Sequence, residues 1–205
     1  SVYDIFGTLA AGGTIVIPDA SARKYPAHWL ELMQREQVTV WNSIPTLMQM
    51  LVEYAGGCQE TLPISLRLVM LSGDWIPLNL PNLIKAAANQ TQIVSLGGAT
   101  EASIWSICYP IETVDRHWKS IPYGKPLQNQ RLYVLKESLE PCPVWAVGQL
   151  YIGGIGLAQG YWHDEQKTNS SFIIHPHTGE RLYQTGDLGR YLPDGNIEFL
   201  GRVDS

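Results

Sequence analysis

Ser95-Leu96-Gly97-Gly98-Ala99-Thr100-Glu101 sets a hydroxyl beside a carboxylate directly after an apolar run and a two-glycine turn. That pairing suits a nucleotide phosphate and its metal. The Thr100 hydroxyl can donate to a phosphate oxygen, and the Glu101 carboxylate offers a hard oxygen ligand to Mg2+. Gly97 and Gly98 have no Cβ, so the backbone there can approach a ligand closely and adopt positive φ. An ordinary helix start looks the same, with a capping Thr and a first-turn Glu, so the string acquires chemical meaning only with partners elsewhere. A candidate partner is Tyr183-Gln184-Thr185-Gly186-Asp187-Leu188. Asp187 has two acceptor oxygens and can take both hydroxyls of a ribose diol, with a neighbouring glycine leaving room for the sugar; the alternative is an Asp in an inter-strand turn. Gly148 to Trp162 is glycine-rich but lacks the spacing and the β-α-β surroundings of a dinucleotide fingerprint, and it reads as close backbone packing beneath a site. His175-Pro176-His177 has no third metal ligand near it and reads as a solvated, turn-rich loop. Cys58 reads as a loop thiol with no base to activate it.

These residues need elements to hold them. Ile5 to Ala11 reads as a short apolar helical segment and Thr14 to Ile17 as a strand ended by Pro18. Pro26 to Gln37 has near-helical apolar spacing at Trp29, Leu30 and Met33, and Val38 to Trp41 follows as a buried strand. Pro45 opens a helix through Tyr54 that Gly56-Gly57 ends, Leu66 to Leu71 is a strand, Leu80 to Asn89 a helix, and Gln92 to Leu96 a strand. This β-α-β-α-β series predicts an α/β fold, a mostly parallel sheet flanked by helices, with the glycine turn at the C-terminal end of a strand where open α/β sheets bind ligands. After about Thr113 short strands follow one another: Arg131 to Leu135, Gly148 to Ile152, Arg181 to Gln184, Leu188 to Tyr191 and Asn196 to Leu200, with Asp194-Gly195 as a hairpin turn. They predict a smaller antiparallel β sheet or distorted barrel. The expected division is 1–112 for the α/β part and 113–205 for the β-rich part, with Trp118 to Pro126 as the crossing between them.

Composition narrows the classes. The chain is 45% hydrophobic and 16% charged with a net charge of -5, which offers no basic surface to nucleic acid. No apolar run approaches the roughly 18 residues of a membrane span, and no signal peptide is expected. Cys58, Cys108 and Cys142 are scattered and odd in number, as expected of free thiols in a reducing, cytoplasmic compartment. The 205 residues suffice for one or two domains. Both ends, Ser1 to Phe6 and Gly201 to Ser205, read as cut, so an internal segment of a larger protein is expected.

In order and spacing, Ser1-Val2-Tyr3-Asp4-Ile5-Phe6-Gly7, Gly98-Ala99-Thr100-Glu101, Gly148 to Trp162, Tyr183 to Leu188 and Gly201-Arg202-Val203-Asp204 resemble the adenylation domains of nonribosomal peptide synthetases. These belong to the adenylate-forming ligases, with acyl-CoA synthetases and luciferases. The resemblance covers the whole chain. It implies ATP and Mg2+ as cofactors, with Thr100 on the α-phosphate, Glu101 on the metal, Asp187 on the ribose, Arg202 on ribose or phosphate, and Asp204 as the hinge to a small C-terminal domain. Where Gly97-Gly98-Ala99 stand, the family usually has an aromatic residue, often followed by Gly-Pro; a subset carries the Gly-Gly-Ala form, and adenine stacking must then come from elsewhere or be weaker. The family's phosphate loop would lie upstream of Ser1 and its catalytic lysine beyond Ser205, so the isolated 205 residues are expected to support no substantial pyrophosphate exchange.

The resemblance also implies a two-step reaction: a substrate carboxylate attacks the α-phosphorus of ATP, and the thiol of a phosphopantetheine on a carrier-protein domain then takes the acyl group. By alignment Tyr3, Asn42, Met70, Ser72, Leu96, Ile104 and Trp105 line the substrate pocket, a set similar to that of cysteine-activating domains, which often work beside a heterocyclisation domain. Two aromatics and three aliphatics, with Asn42 and Ser72 as the polar walls, suit a thiol that packs like a small hydrophobe. The alternatives are a freestanding acyl-CoA or aryl-acid ligase and a non-catalytic scaffold module.

Overall fold

The computed structural model describes residues 2–203, which form two compact units. One takes the chain up to Val94 together with Ile111–Lys119; the other takes Ser95–Pro110 and the chain from Ser120 on.

The first unit opens with a π-helical turn, Tyr3–Gly7, running into α1 (Thr8–Ala10). Proline at a first helical position, where no N–H is needed, starts both α2 (Pro26–Arg35) and α3 (Pro45–Gly57). α2 buries Trp29, Leu30, Leu32 and Met33, and the Trp29 ring lies 5.9 Å from that of Trp41 on β1 (Val40–Ser43). β2 (Leu68–Ser72) pairs with β1 in parallel, Asn42 opposite Met70, and its Leu-Val-Met-Leu run is the continuous apolar pattern of a strand covered on both faces. α3 packs against both α2 and α4 (Leu80–Ala87), burying Met48, Leu51, Val52 and Ala55. β3 (Gln92–Gly97) follows β2 in the strand order; it leaves this unit after Val94, and its last three residues belong to the second.

In the second unit β4 (Ile107–Pro110) comes next in that order and pairs antiparallel with β5 (Lys125–Pro126). β6 (Gln130–Leu135), β7 (Gly148–Gly154), β9 (Arg181–Tyr191) and β10 (Ile197–Arg202) form a wholly antiparallel sheet in the order β10-β9-β7-β6. β8 (Phe172–Ile174) pairs with β9, after α5 (Glu165–Ser171) capped by the Asp164 carboxylate. Leu150, Ile152, Val134, Ile107 and Ile197 fill the core of this unit.

The α/β part and the smaller antiparallel sheet are as the sequence predicts. Three expectations are corrected. Thr14 to Ile17 is not a strand: these residues pair with no ladder and Ile17 is largely exposed, so β-branched composition without a partner does not make a strand. Arg181 to Gln184 and Leu188 to Tyr191 are one strand, β9, because Thr185–Asp187 is a bulge within it rather than a turn between two strands. His175 is buried, not solvated: its Nε2 lies 2.9 Å from the Leu139 carbonyl and its Nδ1 meets the N–H groups of His177 and Thr178 at 3.3 Å. The described residues contain no helix long and apolar enough to cross a membrane.

Candidate active site

The second unit gathers the turn after β3 and the bulge of β9. β3 ends at Gly97, and a short 3-10 turn over Thr100–Ala102 follows, closed by Ser103 and Ile104 with φ of 60° and 73°. Two successive non-glycine residues at positive φ, one β-branched, are rare and mark a backbone held by its surroundings. What holds it is the glycine-rich run. The Ala158 N–H donates to the Glu101 carbonyl at 2.7 Å, the Ser103 hydroxyl to the Gly156 carbonyl at 2.8 Å, and the Tyr161 hydroxyl to Glu101 Oε1 at 2.6 Å. The glycines of 148–160 are close-packed: a Cβ at Gly154 would stand 2.3 Å from the Asn129 carbonyl and one at Gly156 2.0 Å from Gln130 Nε2.

Gly97 and Gly98 answer to different neighbours. The φ of Gly97 would suit an ordinary residue, but a Cβ there would fall 1.8 Å from the ring of Tyr123. At Gly98 a Cβ would meet backbone, 2.6 Å from the Ile104 carbonyl and 2.7 Å from the Ser106 nitrogen. Both glycines are therefore required by the protein's own packing. The Gly98 amide bonds to the Tyr123 oxygen, and burial, with the nearby Asp187 charge, pushes the Tyr123 hydroxyl up to about 12.

Thr100 is exposed and Glu101 half-buried. Burial alone pushes the Glu101 carboxyl up. Hydrogen bonds from Tyr161, its own backbone amide and Tyr183, with the charge of Lys167, outweigh burial and hold it below the usual range, so it is an anion at neutral pH. Burial and the contacts with Tyr161 and Glu101 raise Tyr183 in turn, which stays a neutral donor. One ionised carboxylate with donors behind it fits Mg2+, which takes one or two carboxylates and fills its shell with phosphate and water.

Asp187 and Arg202 are brought together as register partners of β9 and β10, with Arg202 Nη1 3.5 Å from Asp187 Oδ1. The bulge aims them: Thr185, Gly186 and Asp187 stand opposite the single residue Leu150, Gly186 takes φ 76°, and the Thr185 hydroxyl accepts from the Asp187 N–H at 3.0 Å while donating to the Leu150 carbonyl. Asp204 lies outside the described residues.

Among the expected substrate-lining residues, Tyr3, Asn42, Met70 and Ser72 are in the first unit and Leu96, Ile104 and Trp105 in the second. Tyr3 donates its hydroxyl to Met70 Sδ at 3.8 Å, and Asn42 donates its amide to Asp4 Oδ1 at 2.6 Å. Leu96 is buried, whereas Ile104 and Trp105 keep partial exposure. Sequence reasoning missed Tyr123, Tyr161, Lys167, Tyr183 as a donor, and Asp4. Tyr161, Tyr183 and Asp4 carried a signal, by sitting inside motifs already singled out. An open cleft of about 500 Å3 lined by Asn129, Arg131, Ile155 and Glu180 contains none of the expected residues.

The family model described as "AMP-binding enzyme" matches residues 1–162. The chain is 50% identical over its full length to bacitracin synthase 1 of Bacillus licheniformis and 49% identical to pyochelin synthetase PchF of Pseudomonas aeruginosa, spanning 4% and 11% of those proteins. It is similar over its full length to crystal structures of the nonribosomal peptide synthetase FmoA3 in AMPPNP-bound and alpha-methyl-L-serine-AMP-bound forms. Both have a TM-score of 0.95 and 49% identity, and the chain spans 22% and 23% of them. The chain belongs to the AMP-binding enzymes, the adenylate-forming ligases that its motifs resemble.

Proposed function

We propose that this chain is the nucleotide-binding and amino-acid-binding part of an adenylation domain in a nonribosomal peptide synthetase. It forms an aminoacyl-adenylate from ATP and an amino acid, cysteine, which then passes to the phosphopantetheine thiol of a carrier-protein domain, with a heterocyclisation domain as a neighbour. The observation that carries this reading is that the Thr100-Glu101 turn and the Asp187–Arg202 pair belong to one unit, with Tyr123 against Gly97 and within reach of the Asp187 charge.

In this reading residues 1–112 are the α/β part of the larger domain, 113–205 the β-rich part, and Asp204 the hinge. Thr100 donates to the α-phosphate, Asp187 accepts from the ribose hydroxyls, and Arg202 neutralises phosphate or binds ribose. Glu101 would hold Mg2+, which when bound neutralises charge on the phosphates. Tyr161 and Tyr183 keep the Glu101 carboxylate oriented and ionised. By the family alignment Tyr3, Asn42, Met70, Ser72, Leu96, Ile104 and Trp105 select the side chain. The Asn42 amide already donates to Asp4 and the Tyr3 hydroxyl to sulfur, which supports a weakly polar side chain such as a thiol over a strongly hydrogen-bonding one.

ATP–pyrophosphate exchange by the full-length protein against a panel of amino and aryl acids tests the proposal. Cysteine is expected to give the highest exchange; serine and its α-methyl derivative belong in the panel because of the adenylate named for FmoA3. Exchange with aryl acids and none with amino acids would contradict it.

A further inference from the structure

We propose that Tyr123 supplies the aromatic face for the adenine base, its ring filling from position 123 the space that a side chain at position 97 would take. The inference rests on the nucleotide-binding reading above. Gly97 has a backbone that any residue could adopt, so glycine is not there for its conformational freedom. It is there because a Cβ would lie 1.8 Å from Tyr123 Cε2 and 2.2 Å from Cζ. A ring at 123 and a side chain at 97 exclude one another.

Tyr123 is fixed from three sides. Its N–H donates to the Ile197 carbonyl at 2.8 Å, its oxygen accepts from the Gly98 amide, and its ring meets that of Phe199 at 5.6 Å with a 43° tilt. Tyr123 is partly buried at the edge of the unit's core, against the Gly97-Gly98 turn and within electrostatic reach of the Asp187 carboxylate. A nucleoside whose ribose is held by Asp187 therefore has an aromatic ring within electrostatic reach of its sugar. Stacking needs no sequence of hydrogen bonds, only a flat face in a fixed position, and it contributes about 1–3 kcal/mol per base, roughly a 5- to 160-fold change in affinity.

The test is calorimetric binding of AMP and of ribose 5-phosphate to the full-length protein. Tyr123→Phe keeps the ring and should keep AMP affinity. Tyr123→Leu should weaken AMP by about tenfold or more and leave ribose 5-phosphate unchanged, because only AMP carries a base. Equal losses of both ligands would mean that Tyr123 merely shapes the turn, and would overturn the assignment. Should Tyr123→Leu fail to fold, the exchanged pair Gly97→Tyr with Tyr123→Gly decides: it should fold and prefer AMP over ribose 5-phosphate as the wild type does, and a folded pair without that preference overturns the proposal. Wild-type protein that binds no AMP would overturn the nucleotide reading itself, an outcome distinct from either.

Discussion

In the first unit the candidate residues stand on regular ladders: Asn42 and Met70 are register partners across the parallel β1–β2 pair, and Ser72 closes β2. In the second they stand where the ladder fails. Thr100 to Ile104 follow β3 through a 3-10 turn into two left-handed residues, and Asp187 is aimed by a bulge of three residues against one. A regular strand needs only its neighbours, but an irregular backbone must be held by specific side chains, here Tyr123, Tyr161, Ser103 and Thr185. The first unit can tolerate change at its candidates as a strand does, whereas the second couples its candidates to its stability.

Substitutions can break that contrast. The largest effect is expected at Gly98→Ala, whose Cβ meets backbone that cannot turn aside: a loss of about 3–5 kcal/mol, read from urea unfolding. Glu101→Gln in the full-length protein should lower pyrophosphate exchange by about hundredfold or more while the fold survives. In the first unit Asn42→Ala removes one half-buried hydrogen bond to Asp4 and should cost only about 1 kcal/mol, measured the same way. Gly56→Ala, in open space near the end of α3, should stabilise by about 0.5 kcal/mol. The pH dependence is subtler. Glu101 is held below its ordinary value of 4.5, so its contribution is full above that pH and is lost as pH falls through the folded value. Below about pH 4.5 the wild type should therefore lose stability more steeply than Glu101→Gln, and parallel acid limbs would count against the coupling.

Legibility in the sequence follows the same division. Prolines opening α2 and α3 and the apolar run of β2 announce themselves through local chemistry. Glu-Gln-Lys-Thr-Asn-Ser-Ser of α5 has no apolar period to betray a helix, and the two-residue β5 is too short to show a pattern. Thr185-Gly186-Asp187 looks like a turn because Gly and Asp serve turns and bulges alike. Within the candidate site, Thr100, Glu101 and Asp187 stand out by type and setting, and Arg202 through the family resemblance. The residues behind them do not. Tyr123 lies 26 positions after Gly97, and only its ring against the missing Cβ reveals the connection.

The central claim is that the turn after β3 and the bulge of β9 serve a single nucleotide. It is tested most directly by titrating the full-length protein with adenosine and with AMP in the wild type, Asp187→Ala and Thr100→Ala. The account predicts that Asp187→Ala weakens both ligands alike, since both carry the ribose, and that Thr100→Ala weakens AMP alone, since only AMP carries the phosphate. Binding of AMP that neither substitution changes would contradict it.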